Sequence, residues 1–127
     1  MRTSVIKKTL LLALLLVTSS AWAGWVQVTQ TDSSDFYIDP ETIRRDGNLV
    51  RVWQIAELKQ RDKDGELSRR SRMEYDCKQE RRRSLSLSTH SEPMAGGKTL
   101  ESFTPDGSWR EIPPDSAGSD ILKIVCR

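Results

Sequence analysis

Residues 67–89 read LSRRSRMEYDCKQERRRSLSLST, and the order of apolar and polar side chains within them decides the fold class. From Leu67 to Cys77, Met73, Tyr75 and Cys77 alternate with Arg72, Glu74 and Asp76. A period of two puts one set on a buried face and the other in water, which is the pattern of a strand. The next run obeys the same rule, with Leu85, Leu87 and Thr89 on one side and Ser84, Ser86 and Ser88 on the other. Two such runs in succession predict a β-hairpin. Parity then constrains its turn. If Met73, Tyr75, Leu85 and Leu87 share a face, the numbers of facing residues must sum to an even value. A two-residue turn at Lys78 and Gln79 would pair Cys77 with Glu80 and separate the two apolar sets. A longer turn or a bulge around Lys78 to Glu80 is therefore expected.

Outward from this hairpin the chain is punctuated by Asp46-Gly47, Asp64-Gly65, Gly96-Gly97 and Asp106-Gly107, pairs that tolerate the positive φ of tight turns. Trp25 to Val28 and Phe36 to Asp39 are short strand candidates, the second ended by Pro40. Leu49 to Lys59 carries Val50, Val52, Trp53 and Ile55, residues suited to a pleated surface. Lys98 to Phe103 makes a last strand before Trp109. Pro113 and Pro114 stop the sheet, Asp115 or Ser116 caps a helix, and Ala117, Ile121, Ile124 and Val125 recur at helical spacing. The expected fold is α+β and β-rich, a single antiparallel sheet of five or six strands with one C-terminal helix.

The N-terminus reads differently. Arg2, Lys7 and Lys8 precede an apolar run from Leu10 to Val17, followed by Ala21 and Ala23. This predicts a signal peptide over residues 1–23, cleaved before Gly24. Eight apolar residues span about 12 Å as a helix, and a membrane crossing needs roughly 20 residues. No integral membrane segment is expected after cleavage, and with no cysteine near the cleavage site no lipid anchor is expected either. The remaining 24–127 suffices for one domain. Removing three of the 20 basic residues leaves 17 against 18 acidic ones, a net charge near −1 that does not suggest nucleic acid as a partner. Export to an oxidising compartment pairs the two cysteines, Cys77 and Cys126. Closing so long a loop is worth up to roughly 4 kcal/mol and clamps the helix to the sheet.

Tests for chemistry point away from catalysis. His90 is the only histidine, no Gly-x-Ser-x-Gly elbow accompanies it, and it reads as a partly exposed side chain at a strand end. Asp62, Lys63, Asp64 and Gly65 begin like a calcium loop that lacks its final glutamate. No metal or cofactor is called for. Glu74 and Asp76 share a strand face, but nearby arginines make ion pairing their expected role. Arg69, Arg70, Arg72, Arg81, Arg82 and Arg83 concentrate on one hairpin, either as a solvated, balanced face or as a basic patch for an anionic partner. Trp25, Trp53 and Trp109 are expected to pack in the core.

Several blocks together resemble the surface-adhesin protein E family. They are Trp25; Tyr37-Ile38-Asp39 with Thr42-Ile43-Arg44; Val52-Trp53; Glu74-Tyr75-Asp76-Cys77-Lys78; Met94-Ala95-Gly96-Gly97; and Trp109 with Ile112-Pro113-Pro114 and Cys126. The resemblance implies a twisted antiparallel sheet with a disulfide-clamped C-terminal helix. It also implies a non-enzymatic adhesin that binds extracellular-matrix proteins such as vitronectin or laminin. A periplasmic inhibitor or small-ligand carrier is the alternative, and the location is expected to be periplasmic or secreted, with surface display open.

Overall fold

Short strands follow one another along residues 24–127, the part of the chain described by a computed structural model; the expected signal peptide lies outside the described residues. They are β1 (Val26–Gln30), β2 (Ser34–Ile38), β3 (Arg44–Asp46), β4 (Leu49–Leu58), β5 (Ser68–Asp76), β6 (Arg81–Glu92), β7 (Gly96–Phe103) and β8 (Arg110–Glu111), before one helix, α1 (Ala117–Val125). All join one antiparallel sheet in the order β1-β2-β4-β5-β6-β7, with β3 on β4 and β8 on β6. The sheet thus has eight strands, not five or six. The two unforeseen ones, β3 and β8, are fully exposed; they add backbone hydrogen bonds but bury no side chain, so no alternation marks them.

These short strands share the outer edges of the β4-β5-β6 centre with longer neighbours. On β4, β2 takes Gln54 to Leu58 and β3 takes Leu49 to Arg51. On β6, β7 takes Leu87 to Glu92 and β8 takes Arg81 and Arg82. The β3-β4 hairpin closes over Gly47 and Asn48, with Gly47 at φ +61, as a two-residue turn requires.

The central hairpin solves its parity problem in an unexpected place. Its turn spans Cys77 to Glu80, and Asp76 Oδ1 accepts hydrogen bonds from the backbone N–H of Lys78 and Gln79 at 3.1 and 3.0 Å. Beside the turn the facing numbers still sum to an odd value, Tyr75 opposite Arg82 and Asp76 opposite Arg81. The correction comes at Leu85. Met73 faces Ser84 and Arg72 faces Ser86, so Leu85 is unopposed, and beyond it Leu87 faces Ser71 on the Met73 side of the sheet. The turn is thus the longer one expected around Lys78 to Glu80, but four residues leave the same odd sum as two, and the bulge that restores parity lies within β6. Ser84 consequently falls on the face opposite to Ser86 and Ser88.

The core lies between one sheet face and α1. Ile38, Val50, Val52, Met73 and Tyr75 meet Ile121, Leu122 and Val125 there. Ser116 caps the helix, its hydroxyl accepting from Ser119 N–H at 3.1 Å. At nine residues α1 is marginal alone, so packing and the Cys77–Cys126 disulfide, with Cα atoms 5.7 Å apart, hold it. Tyr75 is fully buried and donates to Gln54 Oε1 at 2.6 Å; burial pushes its hydroxyl up to about 12. A Cβ on Gly118 would lie 2.9 Å from Arg82 Nη1, so glycine is what lets the helix approach that guanidinium.

Candidate functional site

Side chains that alternate with the core residues form a second, open face. By register it carries Arg51, Trp53, Ile55 and Glu57 from β4, then Arg70, Arg72, Glu74 and Asp76 from β5. From β6 it takes Arg81, Arg83, Ser86, Ser88 and His90. The open face also departs from the expected placement of the tryptophans. None of Trp25, Trp53 and Trp109 is buried; all are half-buried, because the aliphatic residues and Tyr75 fill the space under α1. Arg70 lies over Trp53 with its guanidinium 4.4 Å from the ring centre. Trp109 receives both Arg81 and Arg83, at 4.6 and 4.4 Å. Such stacking of guanidinium on indole is attractive and holds the planar cation at the surface.

Four of the six hairpin arginines meet on this face. Arg69 and Arg82 do not: register turns both toward the helix side. Arg69 Nε donates to Glu66 Oε2 at 2.6 Å, and its Nη2 lies 3.5 Å from Asp62. Asp62, Asp64 and Glu66 do cluster, their oxygens within 4.8 Å of one another, and Arg69 supplies the counter-charge. Hydrogen bonding from Glu66 N–H is the first cause holding the Asp62 carboxyl below its usual range. Arg51 joins the basic face instead, a residue that hairpin spacing alone misses. Its signal was strand parity on β4, which sets it opposite Glu74.

The acids of β5 are not wet as the alternation predicts: Glu74 and Asp76 are 3% and 6% exposed. Glu74 sits between Arg83 Nη2 at 2.6 Å and Arg51 Nε at 3.3 Å, and Asp76 meets Arg81 Nε at 3.1 Å. The Asp76 carboxyl is held below the usual range first by Gln79 N–H and then by Arg81. Ion pairing accounts for both acids, as expected. Among the described residues Arg70 and Arg72 have no carboxylate partner, so these two guanidiniums are available to an anion.

His90 is buried within β6, not partly exposed at a strand end. Its Nε2 shares a 2.7 Å hydrogen bond with Ser88 Oγ, and burial, then Arg70, push its pKa down. Both effects favour the neutral imidazole, which acts as a hydrogen-bonding wall. Together with Trp53, Arg70 and Thr99 it borders a depression of about 330 Å³. On the other side of the sheet, Phe36, Met73, Leu87 and Phe103 line a groove of about 630 Å³.

Comparison with known proteins gives a consistent picture. Residues 25–127 match the family model described as surface-adhesin protein E. Crystal form II of Haemophilus influenzae protein E superposes with a TM-score of 0.63 at 17% identity, covering 85% of this chain and 91% of that one. Protein E from non-typeable Haemophilus influenzae gives 0.59 at 17% identity, covering 85% and 78%. At these identities the likeness speaks for the fold alone. No curated protein matches the sequence.

Proposed function

Because the chain belongs to the surface-adhesin protein E family, we propose that it is an exported, non-enzymatic binding protein whose open face meets an acidic surface on another protein. The observation that carries this reading is the row of guanidinium-capped indoles, Arg70 on Trp53 and Arg81 with Arg83 on Trp109. Tryptophan and arginine are enriched where protein interfaces gain most of their energy. The patch residues are thus Arg70, Arg72, Arg81 and Arg83 with Arg51. By family resemblance the partners are extracellular-matrix proteins such as vitronectin or laminin. Residues 1–23 serve as signal peptide and 24–127 as the mature domain, periplasmic or secreted; the disulfide suits that route.

Binding of the purified protein to immobilised matrix proteins in a salt series tests the surface. Affinity should fall as salt rises, since exposed charges are screened beyond about 8 Å at physiological ionic strength. Arg70→Ala and Arg72→Ala, which leave no carboxylate unpaired, should weaken binding, and salt-independent binding by wild type would rule the basic face out. Mass spectrometry should find Gly24 as the mature N-terminus. The rival reading, a periplasmic inhibitor or small-ligand carrier, is favoured by the groove between Phe36 and Phe103, and a small molecule retained in native mass spectra would select it.

A further inference from the structure

At the far corner of the open face the chemistry reverses sign. Trp25, just before β1, joins Tyr37 of β2, Glu57 of β4, and Pro93 and Met94 of the turn into β7 around a pocket of about 300 Å³. Asp35 faces Glu57 directly across the β2-β4 ladder. Like charges so placed destabilise a sheet, and among the described residues neither carboxylate has a basic partner. Burial first, and then Asp35, pushes the Glu57 carboxyl up; burial, Glu57 and Asp35 do the same to the Tyr37 hydroxyl. The corner therefore holds negative charge that no ion pair among the described residues offsets.

The wall opposite is preformed. Met94 and Ala95 have φ of 56° and 59°, a left-handed conformation costing roughly 1–2 kcal/mol for each non-glycine residue. Fully buried Ser68 holds them there. Its hydroxyl donates to Glu92 O at 2.6 Å and accepts from Ala95 N–H at 2.9 Å.

We propose that this pocket binds a quaternary ammonium group of the choline type. Indole and phenol faces attract a cation, and the paired carboxylates supply the charge it would neutralise. The apolar walls of Pro93 and Met94 suit N-methyl groups, whereas a primary ammonium keeps a tightly held hydration shell. The site is independent of the basic row, which lies around Trp53 and Trp109.

Titration of the purified protein with choline chloride, followed through the indole N–H resonances of Trp25, Trp53 and Trp109, tests the site. The Trp25 resonance should shift and saturate while Trp53 and Trp109 stay still. The uncharged isostere 3,3-dimethylbutan-1-ol should bind at least about tenfold more weakly, and Glu57→Gln should weaken choline binding about tenfold with a Tm that does not fall. Trp25→Leu, which keeps an apolar side chain, should abolish the binding. Should Glu57→Gln fail to fold, Asp35→Asn removes the neighbouring charge and should weaken binding in the same direction. Co-sedimentation with phosphatidylcholine vesicles separates the sources: recruitment identifies a lipid headgroup, and binding of free choline without recruitment identifies a soluble ligand. An unmoved Trp25 resonance at saturating choline, or equal affinity for the isostere, would overturn the proposal.

Discussion

Val50 and Val52 of β4 are completely buried in the cluster that Ile121 and Val125 close, while Arg51 and Trp53, interleaved with them, stay half-exposed on the other side. The same strand therefore serves two surfaces. One gains stability by removing aliphatic groups from water, and the other arranges charge and aromatic area where a partner can reach them. Side-chain size does not separate the two: the smaller residues are inside and the indoles outside. What separates these four positions is α1, whose Ile121 and Val125 cluster with Val50 and Val52.

The disulfide ties α1 to the covered face, so its removal should be the largest single loss. Cys77→Ser and Cys126→Ser should each lower stability by up to about 4 kcal/mol in urea denaturation, and the double variant should add little beyond either one. Unequal losses would assign one cysteine a further role. Next, Ile121→Ala should cost about 2–4 kcal/mol, because the cavity it leaves is closed on every side. Trp109→Ala should cost about 1 kcal/mol or less. If the two were equal, the open face would count as a second core.

Titration sharpens the same contrast. The Tyr75 hydroxyl ionises near 12 in the fold, above its ordinary 10.0, so the folded state favours the protonated form. Its contribution is fully present below pH 10 and is lost as pH rises toward 12, amounting to roughly 2–3 kcal/mol. Chemical denaturation at pH 9 and pH 12 should show this loss, and Tyr75→Phe should remove that part of the pH dependence. Smallest of all, Arg72→Ala should change stability by about 1 kcal/mol or less, since among the described residues no carboxylate depends on it. Its effect belongs to binding.

The strands that touch the core were legible in the sequence because burial leaves a period. Met73 and Tyr75, the Val50 to Ile55 run, and the capped helix beginning after Ser116 all announced themselves that way. Arg44 to Asp46 and Arg110 to Glu111 left no such mark, being edge strands with both faces wet. The Leu85 bulge was hidden for another reason: in SLSLS one frame looks like the other until the turn fixes the register. That shift also explains the basic patch. Spacing placed six arginines on one hairpin, but which of the three on β6 pointed outward depended on register, and so Arg82 turned away, while Arg69 follows the Met73 side of β5. The tryptophans misled because their apolar area suggests burial, whereas a guanidinium lid can shelter an indole while leaving it at the surface.

The bond between Cys77 and Cys126 also has a mechanical side. Tension applied between β1 and residue 127 would pass through the sulfur atoms and leave the chain between them, a sequence separation of 49, slack. β6, β7, β8 and α1 would then lie outside the load path and carry no tension while the bond is intact. Under a reductant the same pull should release about 160–180 Å of additional chain, a hidden length that single-molecule force spectroscopy can read directly.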